Sequence, residues 1–255
     1  MNMQIDLEKG IANVGDVSRM KEVMARARRG ERLVIGFIGG SITQGSLSST
    51  PQTCYAYRVY TWWKETFPQA EFVYCNAGIG GTTSEFGAAR VGTDLLAERP
   101  DFVIVEFSVN DESTEHFKET YEGLVRKILG AAWNPAVLLV HNVFYQNGAN
   151  AQVMHAAIGR HYDLPSVSMQ SSIYPEVVAG RIENRAITPD DLHPNDEGHA
   201  LVASVITYFL EQVRSGKLTG NNTSFAPGAK LPAPLTKNAY EDSVRIRNAA
   251  EIGRA

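Results

Sequence analysis

The sequence predicts an α/β protein with an open, doubly wound parallel sheet of five strands. Three observations predict it: short apolar runs recur along the chain, stretches of helical periodicity separate them, and the early runs end in Gly, Ser, Asn and Asp. Short runs without polar alternation suit strands covered on both faces. Strands alternating with helices form βαβ units, and right-handed crossovers leave few topologies. A closed eight-stranded barrel would need more strands than lie before Glu211.

The elements follow in order. Asp16 to Gly30 predicts a first helix, with Val17, Met20, Val23, Met24 and Ala27 at helical spacing and Gly30 as its stop. Leu33 to Ser41 (LVIGFIGGS) is an apolar strand feeding a glycine turn. Later strands are Glu71 to Cys75, Asp101 to Phe107, Ala136 to Val140 and, more weakly, Leu164 to Ser168. Between them lie helices at Tyr55 to Phe67, Glu85 to Glu98, Ser113 to Leu129 and Ala151 to Tyr162, and a last helix runs from about Glu197 to Val213. A single α/β domain is therefore expected over residues 1–214. Residues 215–255 follow as a Pro/Gly-rich tail or linker without hydrophobic period.

Composition narrows the function. The chain has 255 residues, is 44% hydrophobic and carries a net charge of -4. That is normal for a globular protein and lacks the basic surplus that neutralises phosphates, so no nucleic-acid partner is expected. The first twenty residues contain no apolar signal core, and no run approaches the ~20 apolar residues of a membrane span. No membrane partner and a cytoplasmic location are the expectations. Cys54 and Cys75 are too few for a disulfide scaffold and read as ordinary thiols without an assigned role.

The polar strand ends converge, because ligands of open α/β sheets bind outside the carboxyl ends of the strands. Glycine-rich turns invite a nucleotide, but GFIGGS and GIGGTTS match neither the dinucleotide fingerprint nor the phosphate loop. No cofactor or metal is expected, a flavin phosphate at a Ser/Thr-rich turn being the minor alternative. An acyl-transfer site fits better. It needs a nucleophile, a base, a group that orients the base and donors for the oxyanion. Ser41 follows a buried strand and a Gly-Gly turn, which leaves room for a substrate carbonyl. His193 lies three residues after Asp190 in TPDDLHPNDEGHA, close enough in a turn for the carboxylate to hold Nδ1–H and free Nε2. Asp191 is the second choice for that role and His199 the second choice of base. His116, His141, His155 and His161 have no carboxylate at suggestive spacing. Asn110 offers an amide donor, Asp111 reads as ordering the loop, and Asn195 and Asp196 read as caps of the last helix. The α/β-hydrolase elbow G-x-S-x-G is absent.

These four blocks together resemble the SGNH/GDSL hydrolase superfamily, named for its Ser, Gly, Asn and His. FIGGSIT is similar to its first block, NAGIGGTTS to its second, SVND to its third and DDLHPNDEGH to its last, in family order across Leu33 to about Val213. The resemblance implies a flavodoxin-like three-layer α/β/α fold and metal-free ester hydrolysis. It assigns Ser41, His193 and Asp190 to catalysis, and the N–H groups of Ser41 and Gly81 with the Asn110 amide to the oxyanion. Gly80, the near neighbour of Gly81, is expected to help bind substrate together with His141 and Asn142. Two departures stand out: Gly40 replaces the aspartate of G-D-S, and Ser108 replaces the glycine of G-x-N-D.

Substrate is less legible. No long apolar lid is apparent. The expected rims carry Tyr55, Trp62, Trp63, His141, Asn142, Tyr145, Gln146 and Asn147, the aromatics of Tyr55 to Trp63 reading mostly as a helix's packing face. A polar rim including His141 and Asn142 suits a sugar ester. F-x-G-G-S-I-T, with P-A-P-L-T-x-N-x-Y-E in the tail, resembles the superfamily's carbohydrate acetylesterases, in some of which a similar tail leads into a carbohydrate-binding β-sandwich. The expectation is a serine esterase that deacetylates carbohydrates such as hemicellulose oligosaccharides. Its alternatives are a lysophospholipase or thioesterase, and a non-catalytic carbohydrate-binding protein. The oligomeric state stays open.

Overall fold

The computed structural model describes residues 5–221 and 230–246. The last part of the expected tail, 247–255, and its stretch 222–229 lie outside the described residues. Six strands form one sheet: β1 (Ile11–Asn13), β2 (Arg32–Gly39), β3 (Glu71–Gly78), β4 (Phe102–Glu106), β5 (Ala136–His141) and β6 (Ser166–Ser168). Their order is β1-β6-β5-β4-β2-β3. Strands β2 to β6 pair in parallel, while β1 runs antiparallel along β6.

The expected five strands are all present, and the sheet gains a sixth. Strand β1 has three residues on an edge, only partly buried, and so carries no run or alternation to read. The parallel strands take the flavodoxin-like doubly wound order, with the switch point between β2 and β4.

Ten helices accompany the sheet among the described residues: α1 (Ser18–Arg28), α2 (Ser41–Gln44), α3 (Tyr55–Thr66), α4 (Ser84–Asp94), α5 (Glu115–Leu129), α6 (Gln152–His161), α7 (Met169–Ser172), α8 (Tyr174–Val178), α9 (Asn184–Ile187) and α10 (Asp196–Arg214). The six long ones match the expected helices to within a few residues. The short α2, α7, α8 and α9 are too brief to show a 3.6-residue period.

Alternate strand residues feed two cores, which gives three layers. Ile35, Phe37, Phe102, Ile104, Leu138 and Val140 pack with α1, α3 and α10. Ile38, Val103, Val105, Val137 and Leu139 pack with α4, α5 and α6. Tyr55 and Trp63 are fully buried in the first core, as a packing face requires. Each such aromatic removes roughly 150–250 Å² from water, which holds α3 against the sheet.

The described tail, 230–246, lies along α5. The Glu122 carboxylate on that helix accepts the backbone N–H groups of Leu235 and Thr236 at 2.6 and 2.7 Å. Arg126 donates to Glu241 at 2.7 Å and to the Pro232 carbonyl at 2.8 Å. Farther on, Arg245 pairs with Asp94 at 3.1 Å. No helix of the described residues is long and apolar enough to cross a membrane.

Candidate active site

Strand β2 ends at Gly39, and Ser41 opens α2 directly beyond it. The chain turns there through Gly40, which also lets a second side chain in. A Cβ at Gly40 would lie 2.1 Å from Asn110 Oδ1, so any side chain there would require the Asn110 amide to move. The aspartate-to-glycine departure in the first block thus has a steric counterpart in this chain.

The histidine arrives from across the sheet. The turn Asp190–His193 sits between α9 and α10, and α10 is fixed by its N-cap. Asn195 Oδ1 accepts the N–H groups of Glu197 and Gly198, both at 3.1 Å. Asp196 caps less than expected. Its carboxylate instead holds the Ser49 N–H at 2.8 Å and the Thr53 hydroxyl at 2.6 Å, pinning the loop after α2 to the start of α10. Those hydroxyl and amide donors draw the Asp196 carboxyl down to about 2.

This frame brings Ser41, His193 and Asp190 into one line. His193 Nε2 lies 2.8 Å from Ser41 Oγ, and its Nδ1 lies 2.6 Å from Asp190 Oδ2. Asp190 Oδ1 also accepts the backbone N–H groups of His193 at 2.7 Å and Leu192 at 3.1 Å. Partial burial raises the Asp190 pKa, but the hydrogen bonds from the His193 ring and from the two backbone amides outweigh it and hold the carboxyl below its usual value. With the carboxylate on Nδ1–H, Nε2 is free to accept a proton from the hydroxyl.

Asp191 faces away. It is bonded to Asn184 at 2.6 Å and Arg185 at 2.8 Å, with its backbone in the left-handed region at φ 71. His199 is also elsewhere. It is fully buried, accepts the Tyr55 N–H at 3.2 Å, and is pushed down to about 4, chiefly by burial.

The loop after β3 borders the serine. The Gly80 N–H is taken by Gln44 Oε1 at 2.7 Å, and a Cβ on Gly80 would lie 3.7 Å from that of Ser41. Gly81 is exposed, with φ 69 and open space around it. Asn76 braces this loop by donating to the Thr43 carbonyl of α2 at 2.8 Å. An open cleft of about 430 Å³ runs from Asn110 past Glu112, Ser113, Phe144 and Asn150.

His141 and Asn142, expected on the rim, are buried beneath it. His141 is the last residue of β5, its ring nitrogens without partners among the described residues, and burial with repulsion from His155 lowers it to about 3. The Asn142 carbonyl accepts from Ser108 Oγ at 3.0 Å and Asn150 Nδ2 at 2.9 Å. Both side chains are thus buried and do not line the cleft. Tyr145 is likewise buried.

Three polar side chains near the site escaped sequence reasoning. Arg90 on α4 is wholly buried and donates to the carbonyls of Ala77 at 2.6 Å and Gly39 at 3.1 Å, clamping the ends of β3 and β2. Glu106 ends β4, where burial lifts its carboxyl to about 7 against the Ser108 hydrogen bonds that favour ionisation. His155 has a carboxylate after all: Asp111 Oδ2 lies 2.9 Å from its Nε2. A charge at the end of an otherwise apolar strand, as in FVIVE, was the one available signal.

Among solved structures, the chain is similar to a two-domain esterase (CEX) active on acetylated mannans. Identity is 69% and the TM-score 0.91, with 96% of this chain and 65% of that chain covered. A structure of such an esterase co-crystallised with mannopentaose matches at 68% identity and a TM-score of 0.90, covering 96% and 64%. This chain thus spans about 65% of the length of that two-domain protein. Axe2, an acetylxylan esterase from Geobacillus stearothermophilus, shares the fold at 20% identity and a TM-score of 0.57, over 70% of this chain and 94% of that one. No curated protein sequence matches significantly. Residues 37–201 match the model of the GDSL-like Lipase/Acylhydrolase family, and the chain belongs to that family.

Proposed function

We propose that the chain is a serine esterase that removes acetyl groups from O-acetylated carbohydrates, with mannan-type oligosaccharides as the first substrates to try. The observation that carries this reading is the 2.8 Å contact of Ser41 Oγ with a histidine held by a carboxylate at 2.6 Å. The likeness to an esterase active on acetylated mannans supplies the substrate class.

The proposed steps are these. His193 Nε2 takes the Ser41 proton as Oγ attacks the acetyl carbonyl. The oxyanion is held by the N–H groups of Ser41 and Gly81 and by the Asn110 amide. The bond to the sugar oxygen then breaks, and the imidazolium returns its proton to that leaving oxygen. Water attacks the acetyl-enzyme with His193 again as base, releasing acetate and restoring Ser41. Asp190 keeps the ring oriented and stabilises the imidazolium.

The test is acetate release from acetylated mannan, xylan and pectin oligosaccharides, beside p-nitrophenyl esters of increasing acyl length. The expected result is fastest release from mannan with a preference for acetyl. Ser41→Ala should lose on the order of 10^5-fold in kcat. Equal rates for wild type and S41A would overturn the esterase reading, and a preference for long acyl chains would point to a lysophospholipase or thioesterase instead.

A further inference from the structure

Two of the proposed oxyanion donors stand on different loops, Gly81 between β3 and α4 and Asn110 between β4 and α5. Something must hold those loops in register, because misplacement by about 1 Å can cost 10^2-fold in rate. The residue after Asn110 reaches both sides. Asp111 Oδ1 accepts the N–H of Ser84, the first residue of α4, at 2.8 Å. Its Oδ2 accepts from His155 Nε2 on α6 at 2.9 Å, and both side chains are completely buried.

His155 is itself fixed. Its ring lies flat on Tyr121 of α5, with centroids 3.6 Å apart and planes 4° from parallel. Beside it, the Ser84 hydroxyl meets that of Thr120 at 2.6 Å. The N–H of Ala151, just before α6, donates to the Ser108 carbonyl at 2.7 Å, tying the same loop to α6 a second time. None of these groups touches Ser41 or His193 through a hydrogen bond. The cluster leads to the donors and not to the nucleophile.

We propose that Asp111 and His155 are positioning residues of the esterase site: they lock the loop carrying Asn110 to the helix start behind Gly81, so that both donors meet the same oxygen. This rests on the esterase reading above. A residue that acts by aiming a donor should affect kcat more than KM, because the oxyanion exists only in the transition state. Its effect should also vanish once the aimed donor is gone.

The experiment is a double-mutant cycle of His155→Phe with Asn110→Ala, read as kcat and KM on p-nitrophenyl acetate, with thermal unfolding of each variant. Phenylalanine keeps the ring on Tyr121 and removes only the N–H donor. The expected result is a kcat about 10- to 100-fold lower with KM changed less than about 3-fold, and less than about 3-fold further loss in the N110A background. His155→Gln, which restores a donor, should recover most of the rate. Equal fold-losses with and without Asn110, or an undiminished kcat in a folded H155F, would overturn the proposal. If H155F does not fold, Asp111→Asn carries the same cycle, since it keeps an acceptor for Ser84 and sets an amide against His155. Loss of all Ser41-dependent hydrolysis in the wild type would instead sink the parent reading, whereas an additive cycle in an active enzyme sinks only this one.

Discussion

The molecule contains two histidine–aspartate pairs of similar geometry and opposite setting. His193 and Asp190 are three residues apart, 2.6 Å in contact, with side chains 24% and 46% exposed. His155 and Asp111 are 44 residues apart, 2.9 Å in contact, and wholly buried. The first stands partly exposed beside the Ser41 hydroxyl. The second is enclosed by α4, α5 and α6. Chemistry alone does not separate a proton relay from a clamp; access does. An exposed pair can exchange protons with a substrate and with water, while a buried one can only hold its neighbours in place.

The largest expected effects test that division directly. Asp190→Asn should lower kcat about 10^2- to 10^3-fold, below the roughly 10^4 seen where such an aspartate is buried, and shift stability by under about 0.5 kcal/mol. Asp111→Ala should add a large loss of stability to the loss in kcat expected of a positioning residue. It strands the Ser84 N–H and the His155 donor in the interior, and breaking a buried pair costs about 3–5 kcal/mol of stability. Denaturant unfolding and steady-state rates on the two variants decide it. If D190N unfolds as readily as D111A, the exposed pair is structural too, and the contrast fails.

The same division explains what could be seen in the sequence. Asp190 and His193 show themselves because a single turn sets their spacing. Asp111 and His155 meet only through the packing of α6 on α5, which no local spacing records. The strands β2, β4 and β5 are legible because burial on both faces leaves them almost continuously apolar. Edge strand β1 has three residues and no such run. Helices α7 to α9 are each shorter than two turns. His141 and Asn142 looked like a rim because they follow a strand end. Whether the chain there lies at the surface depends on what covers it: Tyr145 N–H donates to the Asp191 carbonyl at 2.9 Å, which folds the histidine-bearing loop over β5.

The next effect concerns a buried carboxyl with no cation beside it. Glu106 is lifted by burial from an ordinary 4.5 to about 7, and its Oε2 has no partner among the described residues. A carboxyl whose pKa rises on folding binds its proton more tightly in the native state. Between pH 4.5 and 7 the folded form is then increasingly penalised as pH rises, and the penalty stays constant above that. Its size is about 3 kcal/mol by linkage. Glu106→Gln should flatten the fall in unfolding free energy between pH 5 and 8 by up to that amount while retaining the acceptor for Ser108. An unchanged pH slope in E106Q would move the pH-sensitive group elsewhere, including to the exposed pair.

The smallest effect sharpens the exposed side of the comparison. Two carboxylates flank the histidine turn, and sequence spacing alone ranked them without deciding between them. In the structure Asp190 alone bonds to the ring, while Asp191 is occupied by Asn184 and Arg185. Asp191 also adopts φ 71, a conformation that asparagine tolerates better than most residues. Asp191→Asn therefore preserves the backbone and the Asn184 contact region while removing the charge that meets Arg185. Exposed ion pairs of this kind contribute about 0–1 kcal/mol, so kcat and KM on p-nitrophenyl acetate should stay within about 3-fold of wild type. A loss in D191N equal to that in D190N would mean that the two carboxylates serve His193 jointly, and that the histidine is held by the charge of its turn more than by one hydrogen bond.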